Sequence, residues 1–448
     1  MGTDSGLDRR TFLKGVQMVA IAGAAGAGMP VPAAATVSAG KYDFDTPYNR
    51  IGTDCIKWDQ QIRLYGRDHI AVGMGVADMD FRVAPVITEA LVRRVQHENW
   101  GYLDMPESFP ELIIDWNKRR YGIDIHRDWL LMSTGVHPSI VSALRAFSPR
   151  GSKVLMMTPI YDGFYGDIAA AGCTPEESPM QLVNGRYAMD FEELERHISE
   201  ETKTLILCNP HNPTGNCWSA DDLTTVGEIC IKHGIVLLVD EIHCDLVTQG
   251  NKYTPFSTLR NREIVRNSIT FKSASKSFSL SAMKCGWMFS ENPDYIAKIV
   301  EFGHSQDFNT IGMVATVAAY TRGEDWLQQV LSYLNDNHDY AASFIRAHMP
   351  LVSYTKAQGT YLAWLDVSRV IEKIGARELA AQAGKGVTPE VLVSRFFIQN
   401  AKVQINPGSN YGRAGAGHMR MNLATSRKTL ELALTSMARA LDRISSTT

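Results

Sequence analysis

The chain has 448 residues, 45% of them hydrophobic and 21% charged, with 35 Gly and 18 Pro, an ordinary globular composition without fibrous or low-complexity bias. Lys plus Arg number 45 against 48 Asp plus Glu, for a formal charge of −3, which supplies no broad basic footprint for nucleic acid or anionic lipid. Seven scattered cysteines form no C-x-x-C pair, so neither a disulfide scaffold nor a zinc ribbon is indicated, and a small-molecule enzyme of two or three domains without a structural metal is the natural class.

Residues 8–14 read Asp-Arg-Arg-Thr-Phe-Leu-Lys, no charge follows from Gly15 to Gly40, and Ala33-Ala34-Ala35 offers a small-residue cleavage site. This is the pattern of a twin-arginine export signal over residues 1–35. The Gly/Ala-rich stretch is too weakly apolar for a stable membrane span, which needs ~20 strongly apolar residues. The expectation is a periplasmic or otherwise exported protein, mildly acidic once the signal is removed, that crosses already folded through the twin-arginine machinery.

Beyond the signal, strands and helices alternate. Apolar runs at Lys153 to Met157 and Thr204 to Cys208 read as buried strands. A helical pattern begins at Ser219 and stops at Gly234, and Ile235 to Val239 follows as the next strand, which makes a parallel crossover unit. Ser268 to Phe271 adds a further strand, so the centre of the chain reads as an open α/β domain with its ligand at the carboxyl ends of the strands. A long helix from Asp325 to about His348, ended by Pro350, separates it from a C-terminal part with a strand at Thr360 to Leu365 and a last helix after Ser426.

Four segments at those strand ends carry chemistry. In Ser273-Ala-Ser-Lys276, followed eight residues later by Lys284, a desolvated lysine can form a Schiff base with an aldehyde while hydroxyls and a second cation hold a phosphate. Lysines flanked by serines are more often solvated loop residues, so the segment gains meaning only from its neighbours. In Val239-Asp240-Glu241-Ile242-His243 a carboxylate ends a strand, where it could pair with a protonated ring nitrogen, cap a helix or bind a metal. His243 could donate to a ring oxygen or be a satisfied core histidine. Asn209-Pro-His-Asn212-Pro-Thr-Gly215 is a tight loop that presents the Asn212 amide to the same edge. Ser133-Thr-Gly135-Val136-His137 enters a helix whose first amides would suit a phosphate. Tyr161 could lie flat on an aromatic ring, or simply pack in the core.

Together these segments resemble pyridoxal 5′-phosphate (PLP) enzymes of the aspartate aminotransferase fold, fold type I. The resemblance narrows to the cystathionine β-lyase-like MalY/PatB branch through Arg50-Ile-Gly-Thr-Asp-Cys-Ile-Lys57-Trp58-Asp59, Val76-Ala-Asp78-Met-Asp80-Phe81, Gly101-Tyr102, Thr158-Pro-Ile-Tyr161-Asp162 and Thr360-Tyr-Leu-Ala-Trp-Leu-Asp366, in that branch's order from about Tyr42 to the C-terminus. It implies an α/β fold type I transferase: an N-terminal arm with part of the small domain over residues 36–87, a large PLP-binding domain with a mostly parallel central sheet over 88–330, and a smaller α/β C-terminal domain over 331–448. It also implies that Lys276 carries the cofactor, that Asp240 pairs with the pyridine nitrogen, and that Asn212 and His243 lie near the ring 3′-oxygen. Tyr161 would stack on the ring, and Gly135, Val136, Ser273 and Lys284 would hold the phosphate. Tyr102 would reach in from the partner of a homodimer, and Arg420 would grip the substrate α-carboxylate.

Two departures from the branch stand out. Gly75 occupies a position where the lyases usually carry Trp, which predicts a wider substrate pocket. Lys284 stands where aminotransferases usually have Arg, which keeps the charge but loses the bidentate fork. The expected activity is a β-elimination on cysteine S-conjugates of the cystathionine type, giving a thiol, pyruvate and ammonia. The alternatives are an exported aminotransferase acting on an amino acid or secreted peptide and, from another class, a non-catalytic PLP-binding regulatory module.

Overall fold

In the computed structural model the described residues are 40–304 and 309–445, so the proposed export signal, residues 1–35, lies outside them. The central sheet has seven strands: β1 (Leu130–Ser133), β2 (Lys153–Thr158), β3 (Thr174–Pro179), β4 (Thr202–Cys208), β5 (Val236–Asp240), β6 (Ser268–Lys272) and β7 (Gly286–Phe289). Their order is β1-β7-β6-β5-β4-β2-β3. The four pairings among β3, β2, β4, β5 and β6 are parallel, while β7 runs antiparallel to both of its neighbours. The expected α/β class and mostly parallel sheet are what the chain forms.

Period-two alternation explains why these strands read as unbroken apolar runs. Leu237 and Val239 face one core, shared with Leu155, Leu205 and Leu207, whereas Leu238 faces the other, shared with Val154, Met156, Ile206 and Ile269. A sheet covered on both faces has no polar side to reveal its period. Between β4 and β5 the helix α2 (Ala220–His233) is fixed at both ends as the sequence predicts. The Ser219 side chain and Asp222 form a reciprocal capping box, and Gly234 closes the last turn in the left-handed region at φ 64°. An earlier helix of the domain, α1 (Val136–Phe147), follows β1 directly.

The long helix α3 (Glu324–His348) leads to a second, four-stranded sheet of order β8-β9-β11-β10, with β8 (Ser353–Tyr354), β9 (Leu362–Asp366), β10 (Asn406–Pro407) and β11 (His418–Asn422). The last helix, α4 (Arg427–Ser445), packs Leu430, Leu434 and Met437 into the same small core. The N-terminal segment contributes to this core too. Val72–Gly73 pairs parallel with Val403–Gln404, and Trp58, Val72 and Met74 are buried there. A few residues later Ala77, Met79 and Phe81 enter the aromatic core beside the large sheet, with Trp116, Phe278 and Trp326.

A buried charge pair anchors this segment. The fully buried Lys57 places Nζ 2.8 Å from Asp80 Oδ2, and Asp80 Oδ1 accepts from Trp58 Nε1 at 2.9 Å and from the Arg50 guanidinium at 3.1 Å. Removing Lys57 takes from the buried Asp80 carboxylate the nearer of its two cationic partners and leaves it to Arg50 and Trp58. Lys57→Met should therefore lower the unfolding free energy by about 1–3 kcal/mol in chemical denaturation; an unchanged midpoint would contradict this.

Candidate active site

The chain builds its site along one edge of the large sheet, at the carboxyl ends of β1, β2, β4, β5 and β6 and the start of the reversed strand β7. Gly135 caps α1 at φ 145°, a backbone state that L side chains rarely adopt, and no side chain caps the first turn. A Cβ at Gly286, on the first residue of β7, would come within 3.3 Å of Val136 N. The small residues thus leave the amides at the start of α1 open to an anion, as phosphate binding requires. Ser273 Oγ donates to Cys285 O at 2.6 Å and accepts from Ser275 N at 3.0 Å, so its hydroxyl proton is committed to the loop that shapes this corner. Lys284 is exposed, with a left-handed backbone at φ 52°.

Asp240, the last residue of β5, is 4% exposed. Burial pushes its carboxyl up to about 6, against the pull of Ile242 N, which donates to Oδ1 at 2.9 Å, and of nearby His137 and Lys276. A buried carboxylate of this kind fits a cationic ring nitrogen. Lys276 lies in the turn after β6 and donates from Nζ to Ala77 O at 2.8 Å. Its amine is brought down to about 8, first by desolvation and then by the Arg420 charge. A lysine so placed has an appreciable neutral, nucleophilic fraction near neutral pH.

Arg420, on β11, is buried and donates from one terminal nitrogen to Asn212 Oδ1 at 3.0 Å and from the other to Gly75 O at 2.8 Å. Its guanidinium carbon lies 4.9 Å from the centre of the Tyr411 ring, and Nε has no hydrogen-bond partner among the described residues. His243 Nδ1 is likewise buried without a partner among the described residues, and desolvation together with Lys276 and Arg420 keeps this imidazole neutral, well below its usual range. These orphaned donors, the low-pKa lysine and the buried carboxylate form a donor set that fits PLP and an amino-acid carboxylate.

The structure therefore gathers Gly135, Val136, Tyr161, Asn212, Asp240, His243, Ser273, Lys276 and Arg420 around one edge, while Tyr102 stands fully exposed. One expectation is corrected. Gly75 does not widen a pocket, because a Cβ there would meet Asn406 Oδ1 at 2.2 Å and Gln404 Oε1 at 2.5 Å; two amide side chains from the β10 region fill the space.

Other participants had not been assigned from sequence. His137 Nδ1 pairs with Asp167 Oδ2 at 2.7 Å, an interaction that raises the imidazole's pKa, and its Nε2 lies 3.3 Å from Tyr161 Oη. His137 belonged to a motif already singled out. Tyr361 Oη donates to Ala77 O at 2.9 Å, the carbonyl that Lys276 also uses. Asp167 and Ala77 carried no signal, since a carboxylate in a helix and a backbone carbonyl acquire meaning only from the fold.

A family model for class I and II aminotransferases matches residues 69–437. The chain is 34% identical over 406 residues to cystathionine beta-lyase PatB of Bacillus subtilis (strain 168), spanning 89% of this chain and 100% of that protein. It is 29% identical over 406 residues to the protein MalY of Escherichia coli (strain K12), spanning 89% and 99%. Among solved structures it is similar to cystalysin from Treponema denticola, described with its pyridoxal 5′-phosphate cofactor (TM-score 0.81, 27% identity, 90% of this chain and 100% of that one). It is also similar to the PLP-bound C-S lyase from Staphylococcus hominis (TM-score 0.79, 29% identity, 89% and 99%).

Proposed function

The chain belongs to the class I and II aminotransferase family, and from that premise we propose that it is a PLP-dependent β-lyase that cleaves cysteine S-conjugates of the cystathionine type into a thiol, pyruvate and ammonia. What carries the reading is the match along the full length of a cystathionine beta-lyase at 34% identity, together with a half-buried lysine and a buried arginine converging on one segment, Gly75 to Ala77.

Asp240 would face the ring nitrogen, Tyr161 the ring, and Gly135, Val136 and Ser273 the phosphate. When bound, PLP supplies an aldehyde for the substrate amine and a ring that withdraws electrons from Cα. Arg420, held at both terminal nitrogens by Asn212 and Gly75, grips the α-carboxylate and so fixes which substrate bond stands against Lys276. The Lys276 amine takes the proton from Cα. The bond from Cβ to sulfur then breaks, the thiolate departs, and the remaining three-carbon fragment hydrolyses to pyruvate and ammonia. Asp240, buried at the end of β5, would hold the negative charge that balances a protonated ring nitrogen.

Two further readings complete the proposal. Arg9-Arg10, the uncharged run to Gly40 and Ala33-Ala34-Ala35 support export by the twin-arginine route to the periplasm. The exposure of Trp100 and Tyr102 supports a homodimer in which this loop serves the partner's site.

Purified holoprotein given L-cystathionine without a keto acid should release pyruvate and thiol over many turnovers. A halt after one equivalent, relieved by adding a keto acid, would replace the lyase reading with an aminotransferase.

A further inference from the structure

Gly75 is the meeting point of two polar systems. Its carbonyl anchors Arg420 at 2.8 Å, while its Cα hydrogens face the side chains of Gln404 and Asn406, whose ends lie within 2.7 Å of where a Cβ would stand. Asn406 also faces Arg420 across the β10–β11 ladder. Gln404 Nε2 donates to Asn406 Oδ1 at 3.1 Å, and Asn406 Nδ2 donates to Tyr411 Oη at 3.2 Å. This relay orients both amides and leaves Gln404 Oε1 beside Gly75, 2.5 Å from where a Cβ would stand. Gln404 is 6% exposed, and that oxygen is buried without a hydrogen-bond partner among the described residues.

A buried acceptor left unpaired is costly, and this one sits one glycine away from the arginine that takes the substrate carboxylate. A tryptophan or even an alanine at position 75 would displace it. The absence of a side chain at Gly75 is what lets Gln404 reach this place. Because the Arg420 charge bears on the same glycine, a second cation is disfavoured there, and the complementary partner is an uncharged donor.

We propose that Gln404 determines leaving-group specificity: its Oε1 accepts a hydrogen bond from a hydroxyl or amide N–H carried by the sulfur substituent of the cysteine conjugate. The assignment rests on the β-lyase reading and names the substrate class within it. A site that pairs a substrate donor discriminates against the apolar isostere, since that isostere leaves the site's own polar group unpaired.

The test compares S-(2-hydroxyethyl)-L-cysteine with S-propyl-L-cysteine, which match in size and differ in the terminal donor, using the holoenzyme and reading pyruvate release. The native protein should favour the hydroxyethyl conjugate at least about tenfold in kcat/KM. Gln404→Leu should bring that ratio to near one. Gly75→Ala, whose Cβ displaces the Gln404 amide, should lower it in the same direction and carries the test if Gln404→Leu fails to fold. Equal use of the two conjugates by the native protein, or a ratio unmoved in a folded variant, overturns the assignment while leaving β-elimination intact. Absence of pyruvate from both conjugates and from L-cystathionine overturns the β-lyase reading and this assignment with it.

Discussion

Lys276→Ala will reduce kcat by at least about a thousandfold, the scale expected when a positioned proton-transfer group and covalent anchor are lost together, while the protein stays folded. Borohydride reduction of the native holoprotein should leave the cofactor attached to the peptide containing Lys276 and to no other, as read by mass spectrometry. The same residue sets a pH dependence. With the amine held at about 8 by desolvation and by Arg420, the fraction that is neutral and able to attack an aldehyde falls about tenfold for each pH unit below that value. The rate at which cofactor-free protein captures PLP should rise through pH 8 and level off above it. Covalent capture in Lys276→Ala, or a native rate flat from pH 6 to 9, would show that another group forms the bond. Unchanged function of the variant in cells would instead favour the non-catalytic, regulatory reading.

Asp240→Asn carries the second large effect, and it has two opposite parts. Activity should fall at least about a hundredfold, because an amide of the same shape cannot hold the negative charge that balances a cationic ring. The cofactor-free protein should gain stability. The folded carboxyl sits at about 6 against 3.8 for the free group, so burial penalises its ionised form. The folded state loses stability as pH rises from about 4 to about 6, and the loss is complete above that range. A shift of that size corresponds to about 3 kcal/mol. At pH 7 the Asn variant should be more stable than the native chain by about that amount, with the difference shrinking as pH is lowered towards 4. Denaturant titrations of the cofactor-free proteins at pH 7 and pH 5 give the comparison, and a variant less stable at pH 7 would show that the carboxylate has a stabilising partner in the folded chain.

Much of this site was legible because its residues sit where period and punctuation change. Asp240 ends an apolar run, Ser219 and Gly234 bracket a helix, and Gly135 precedes one, so each announces its place by local contrast. The strand β7 was not anticipated: it is only Gly286–Phe289, and it reverses direction within a parallel sheet, which no local pattern encodes. The Gly75 expectation went astray for a related reason. Loss of a side chain looks like empty space along the sequence, and the amides that fill it come from residues 404 and 406, more than three hundred positions away. Lys57 and Asp80 belonged to quoted motifs, yet their partnership depends on a fold that buries both.

The short span from Val72 to Phe81 belongs to both cores at once, since Val72 and Met74 pack with the small sheet while Ala77, Met79 and Phe81 pack beside the large one. It is a seam held from both sides: Gly75 is tied to Arg420 on the small sheet, and Ala77 to Lys276 on the large domain. Any rotation of one core against the other must shear this seam. The groups proposed to meet the two ends of the substrate thus share one short piece of backbone, their acceptors standing two residues apart at Gly75 and Ala77.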